Sequence, residues 1–172
     1  MVSIKLIFFP CKNLIKYAII LISMTKKPFY SSGLYFSCKR CSACCRYEAG
    51  FVFLSEKDLD KLSGELKMDC DRFTKIYCRW VIDWFGKEVL SLKEKANKDC
   101  IFWDSGCTVY NARPLQCRTF PFWESIVASA KSWEVTASDC PGINTGTLYT
   151  GKAIDENIKL RDHEPIINKR YI

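Results

Sequence analysis

A chain of 172 residues that is 48% hydrophobic and 14% aromatic, with five Trp, carries enough apolar surface to bury a core, which excludes disorder. The formal net charge of +7 sits at one end: residues 1–47 hold eight Lys or Arg and no acid, and the remainder holds 18 basic against 19 acidic side chains. A nucleic-acid binder spreads its basic surface over the folded domain, so this distribution argues against that class of partner.

In chain order, the leader comes first. Apolar runs at Leu6-Ile7-Phe8-Phe9 and Tyr17-Ala18-Ile19-Ile20-Leu21-Ile22 are separated by Pro10, Lys12 and Lys16, and neither reaches the roughly 20 apolar residues of a membrane-spanning helix. No small-x-small cleavage site follows the second run. Residues 1–23 are therefore expected to be an N-terminal extension, and residues 24–172, opening on a polar stretch at Met24, a single domain. Phe36 leads into a cysteine motif, and Phe51-Val52-Phe53-Leu54 has the content of a short buried strand. Ser55 is a predicted N-cap with Asp58 at the capping-box position, opening a helix over about 56–62 that Gly64 ends.

A second helix is predicted from Asp69, with Phe73, Ile76, Tyr77 and Trp80 at helical spacing. Trp80, Ile82 and Trp84 then alternate, Phe85-Gly86-Lys87 can turn, and Val89 to Leu92 can return as a strand. Two more short strands are predicted at Cys100–Trp103 and Cys107–Tyr110, joined by the hairpin residues Asp104-Ser105-Gly106. Asn111 can cap one helical turn through Arg113 to Cys117. The pattern weakens past Pro121 until a helix at 152–161 with Ile154 and Ile158 facing inward. The predicted class is α+β: one small domain of short helices and hairpins, organised around a cysteine-ligated metal centre that compensates for a shallow core.

The eleven cysteines carry the chemistry. Cys38, Cys41, Cys44 and Cys45 crowd four thiols into eight residues. Disulfides would need a separate distant partner for each, whereas a metal gathers several sulfurs at about 2.3 Å. A cytoplasmic, reducing setting follows from that reading. If the segment were helical, about 100° per residue would group Cys38, Cys41 and Cys45 and turn Cys44 away. If it is a loop, C-x2-C-x2-C is the spacing that wraps a 4Fe–4S cube in bacterial ferredoxins. On either geometry the adjacent Cys44 and Cys45 are not expected to serve one ion in the same manner.

The second group is Cys100, Cys107 and Cys117, joined by Cys140 in a late Cys-Pro pair. These eight sulfurs suffice for two four-thiolate sites, or for one cluster and one zinc. The only histidine is His163, near the C-terminus, so the donor set is all thiolate. That favours an iron–sulfur cluster, with a structural zinc site as the alternative, over catalytic zinc. Lys39, Arg40, Arg46, Arg113 and Arg118 lie close enough in sequence to offset thiolate charge. Tyr110, Arg113 and Arg118 are the candidates for supporting the ligands from behind. Cys70 and Cys78 read as core residues, Cys11 as an incidental thiol, and Phe120, Phe122, Trp123 and Trp103 as packing around the metal. No nucleotide-binding glycine spacing or catalytic motif is present.

The four early cysteines, the run from Cys100 through Cys107 to Tyr110, the segment Arg113-Pro114…Cys117-Arg118…Phe120-Pro121-Phe122, and Cys140-Pro141-Gly142 together resemble the YkgJ-type cysteine-cluster family. The resemblance covers about residues 36–146, and it implies zinc or iron chelation by these cysteines. A related cluster in flagellin lysine N-methylases implies a link to methyl transfer. The chain departs from the family pattern in its leader and at Ala43, where glycine is common. Three function classes follow: an iron–sulfur protein in a redox or accessory role, a structural zinc module serving a protein partner, and an accessory to methyl transfer.

Overall fold

The structure, a computed structural model, describes residues 27–46 and 49–169. The expected extension at 1–23 and Cys11 lie outside the described residues.

Local sequence sets the first long helix. Ser55 caps α1 (Glu56–Glu65) with the full capping box: its side chain accepts from the Asp58 amide, and the Asp58 carboxylate accepts from the Ser55 amide. Leu59 and Leu62 face the core. Gly64 does not end the helix; α1 runs to Glu65, and Lys67 takes the left-handed conformation beyond it, with φ 53°. Asp69 caps α2 (Cys70–Tyr77), which buries Phe73 completely but leaves Ile76 44% exposed.

Trp80 belongs to the next element, not to α2. β2 (Cys78–Ile82) pairs antiparallel with β3 (Glu88–Leu92), from Cys78 opposite Leu92 to Ile82 opposite Glu88. Asp83 closes the connecting turn by accepting from the Phe85 and Lys87 amides at 2.8 Å each, and Gly86 supplies the φ of 77°. The alternation of Trp80, Ile82 and Trp84 is real, but its apolar face points outward: they are 40%, 59% and 80% exposed.

Three expected strands are not strands. Phe51–Leu54 makes one bridge, Phe53 to Ser91, while the Leu54 amide donates to the Leu90 carbonyl at 3.1 Å. Cys100–Trp103 and Cys107–Tyr110 form turns held by the isolated bridges Glu94–Cys100 and Trp103–Cys107. Phe51–Leu54 meets β3 over this one bridge, with the Leu92 amide also on the Val52 carbonyl, while the two cysteine segments turn before a ladder can form, so strand composition alone did not make strands. A 3-10 turn at Tyr110–Ala112 follows, then α3 (Leu115–Thr119), which is opened by Pro114 with no side-chain cap rather than by Asn111.

The C-terminal half contains α4 (Glu124–Val127), α5 (Ala130–Asp139), β4 (Thr147–Tyr149) and α6 (Gly151–His163). Ile154 of α6 is fully buried and Ile158 partly so, as the helical spacing predicts. β4 pairs antiparallel with β1 (Leu34–Phe36), Leu34 opposite Tyr149. The class is α+β with two small two-stranded sheets.

Two apolar cores result. One gathers Leu54, Leu62, Phe73, Leu90, Phe102 and Val109, with Cys100 and Cys107 packed at its edge. The other gathers Tyr30, Phe36, Phe122, Trp133, Ile143 and Ile154, with Cys140 at its edge. Cysteines of the motif thus stand at the edges of both cores. Among the described residues, no helix is long and apolar enough to cross a membrane.

Candidate metal centre

The first motif lies on a loop. Residues 37–42 have no regular structure, Arg40 and Ser42 take left-handed φ values of 52° and 65°, and one 3-10 turn spans Ala43–Cys45. In this turn the Cys44 and Cys45 sulfurs lie 3.8 Å apart. The neighbours converge rather than diverge, because the 100° step of an α-helix does not apply here. The Cys44 thiol is lowered to about 7, first by its hydrogen bond with the Cys45 thiol, against the effect of burial and with help from Arg113. Cys45 is raised by the same hydrogen bond, then by burial and by the thiols of Cys44, Cys117 and Cys100. The shared hydrogen bond thus favours ionisation of Cys44 over Cys45, and Cys44 is partly ionised near neutral pH.

The second group is locked to the first through the backbone. The Cys100 amide donates to the Cys45 carbonyl at 2.8 Å. Beside it, buried Asp99 receives Arg46 at 3.4 Å, and the Arg46 guanidinium lies 3.9 Å over the Trp103 ring. Cys117 is delivered by α3, whose first amide, on Leu115, donates to the buried Asp58 Oδ1 at 2.7 Å. The Gln116 side chain continues that anchoring, accepting from the Phe53 amide at 3.0 Å and donating to the Phe51 carbonyl at 2.7 Å. Burial raises the Cys117 thiol, and the thiols of Cys100, Cys44 and Cys107 add to this, with Arg113 opposing.

Cys140 arrives from the other core. Just beyond it the Ser37 amide donates to the Gly142 carbonyl at 3.0 Å and the Asn144 amide to the Tyr35 carbonyl at 2.9 Å. Gly142 is required by this approach: a Cβ there would lie 2.5 Å from the Ser37 carbonyl oxygen. The Cys140 thiol is raised by burial and by the Cys41 and Cys44 thiols, against the Gly142 and Ile143 amides. Cys38 stands exposed immediately after Ser37. Gly142→Ala should push this loop off the first motif, costing about 1–3 kcal/mol as an overpacked contact does. Metal content per folded chain, measured beside wild type, should fall with it; unchanged content would show that Cys140 does not depend on that contact.

The structure therefore makes neighbours of Cys41, Cys44, Cys45, Cys100, Cys107, Cys117 and Cys140. Cys70 and Cys78 lie elsewhere. Cys70 bonds to Ser63 and Asp60 in α1, and Cys78 is buried in the first core, its thiol pushed up to about 12 by desolvation. Among the described residues, no group of three or more His, Cys, Asp or Glu side chains is closed at metal-holding distance. Adjacent thiolates repel until a cation lies between them, so a cage of this kind closes around its metal. The donor set fits one: tetrahedral bonds of about 2.3 Å place thiolate sulfurs about 3.8 Å apart, the separation Cys44 and Cys45 already show.

The supporting residues divide. The Tyr110 ring carries the Arg113 guanidinium at 3.6 Å and that of Arg40 at 4.5 Å, and Arg113 Nε donates to the Tyr110 carbonyl at 2.9 Å. Two cations are thus stacked on one ring beside the thiols. Arg118, by contrast, is engaged by buried Glu164 at 2.9 Å and ties α3 to the end of α6.

The family model of CxxCxxCC, described as "Putative zinc- or iron-chelating domain", matches residues 37–141, more than half of the chain. The chain is also 38% identical over 96 residues to an uncharacterised protein of Methanocaldococcus jannaschii, a match covering 54% of this chain and 48% of that one. The chain thus spans about half the length of this curated relative. No solved structure matches.

Proposed function

The chain belongs to the CxxCxxCC family of zinc- or iron-chelating domains, and from that premise we propose that it is an iron–sulfur protein in an electron-transfer or accessory role. The observation that carries this reading is the loop conformation of residues 37–42. A C-x2-C-x2-C loop wraps a cluster, and in ferredoxins the run ends in a Cys-Pro pair; here Cys140-Pro141 is brought beside the loop by the Ser37–Gly142 contact. Cys38, Cys41, Cys44 and Cys140 would hold the cluster, leaving Cys45, Cys100, Cys107 and Cys117 as a second four-thiolate set. A cluster supplies one-electron transfer when bound. The chain's own part is to bind it, to offset its charge through Arg113 and Arg40 on Tyr110, and to hold it at the edge of the two cores.

A second reading, a single structural zinc serving a protein interaction, is favoured by the 3.8 Å separation of Cys44 and Cys45, since ligands of a cube sit on separate irons. Anaerobic purification with metal and acid-labile sulfide analysis decides between them. Iron and sulfide in near-equal amounts, with a brown colour that bleaches in air, are expected. A colourless protein with stoichiometric zinc and no sulfide would overturn the iron–sulfur reading and leave the zinc one.

A further inference from the structure

A cleft of about 430 Å³ opens beside the thiols, and its lining includes Cys44, Cys45, Cys100 and Cys117. The size falls within the range of small-molecule sites. Its wall carries four aromatic side chains, Phe51, Trp84, Phe120 and Trp123. They stand in edge-to-face pairs, Phe51 with Trp84 at 6.4 Å and Phe120 with Trp123 at 5.3 Å. Trp84 is 80% exposed and Phe51 40% exposed, so large apolar faces that a folded chain ordinarily covers are presented to the cleft mouth.

The polar groups of the lining are almost all engaged. Glu94 is taken by Arg79 at 2.8 Å and by the Gly50 amide. Lys93 donates to the carbonyls of Lys75 and Ile76 at 2.7 and 2.8 Å. Gln116 is spent on Phe51 and Phe53, and the Trp123 Nε1 donates to the Gln116 carbonyl at 2.9 Å. Apart from the thiols, the charged group of the lining with no hydrogen bond or carboxylate partner among the described residues is Lys98, in a turn with φ 70°. Arg113 and Arg40 are stacked on Tyr110 outside the lining, and Arg113 acts on the Cys44 and Cys117 thiols.

We propose that this cleft binds a planar aromatic molecule bearing one acidic group, its rings against Phe51, Trp84, Phe120 and Trp123 and its acid on Lys98. The aromatic wall selects aromatic rings over saturated ones, and the Lys98 ammonium selects anion over cation. The inference stands on the cleft and holds for either metal.

Three probes test it on the metal-loaded full chain by calorimetry, with tryptophan fluorescence in parallel: 2-naphthoate, cyclohexanecarboxylate and 2-naphthylmethylammonium. Saturable binding of one 2-naphthoate per chain is expected, about tenfold tighter than either of the others. Trp84→Ala, at a position exposed enough to leave the fold intact, should weaken it about tenfold. Lys98→Glu should weaken 2-naphthoate about three- to tenfold and not the ammonium probe. Ile82→Ala, on the same hairpin outside the cleft, should change nothing. Metal content assayed on the same samples separates loss of the centre from loss of the cleft. No saturable binding, equal affinity for the saturated acid, tighter binding of the ammonium, or indifference to Trp84→Ala would each overturn the proposal.

Discussion

Cys117→Ser should lower thermal stability more than any other single cysteine substitution and should strip metal from the protein. Its thiol is half-buried and neighbours those of Cys100, Cys44 and Cys107, so a hydroxyl there removes a ligand and leaves its neighbours under-neutralised. In small zinc domains metal binding supplies about 10–16 kcal/mol of apparent free energy at neutral pH, and here the centre joins two modest cores. Losing even about 4 kcal/mol of that would lower Tm by roughly 8–16 °C in a chain of this size. Cys70→Ser is the control: Cys70 bonds Ser63 and Asp60 at the edge of the first core, away from the clustered thiols, and should shift Tm by no more than about 2 °C. Paired melts with metal analysis decide the matter. Equal shifts from the two variants, or full metal content in Cys117→Ser, would remove Cys117 from the ligand set.

Asp58→Ala should be the most damaging substitution away from the cysteines. The carboxylate is fully buried and accepts from the Ser55 amide at 3.0 Å, the Ser55 hydroxyl at 2.9 Å and the Leu115 amide at 2.7 Å. One side chain thereby caps α1 and starts α3, the helix that delivers Cys117. Truncation orphans two buried amides, and each unsatisfied group costs about 1–3 kcal/mol, on top of a lost cap of about 1 kcal/mol. A total of about 3–5 kcal/mol is expected from denaturant unfolding. Asp58→Asn, which keeps the shape and at most one acceptor oxygen, should fall between. If Asp58→Ala unfolds like wild type, the link between the cap of α1 and the position of Cys117 is not structural.

Glu164 plays a smaller part of the same kind. It receives Arg118 at 2.9 Å and Lys57 at 3.6 Å, so α1, α3 and α6 converge on one buried carboxylate. Arg118 was expected among the cations offsetting the thiolates; its guanidinium instead serves this junction. Local sequence could not separate the two roles, since Arg118 follows Cys117 directly but its side chain is directed by α6.

The sequence by itself determined what short-range patterns encode. The capping box of Ser55 and Asp58, the cap at Asp69, the turn at Gly86 and the inward face of Ile154 and Ile158 are each written within three or four residues. The cysteine spacing likewise carries the family, because a thiolate donor set is a matter of residue type and interval. Tertiary structure decided the rest. Phe51–Leu54 and Cys100–Tyr110 have strand composition yet pair only at isolated bridges, because a ladder depends on a partner that runs alongside. The β1–β4 ladder joins residues more than a hundred positions apart, and Cys140 is brought to the first motif by the contacts of Gly142 with Ser37 and Asn144 with Tyr35. The convergence of Cys44 and Cys45 at 3.8 Å depends on a loop whose conformation no periodicity announces. The aromatic side chains Phe120 and Trp123 read as packing in sequence and do pack against the second core, but they also line an open cleft, since burial is a property of what lies opposite a residue and not of the residue itself.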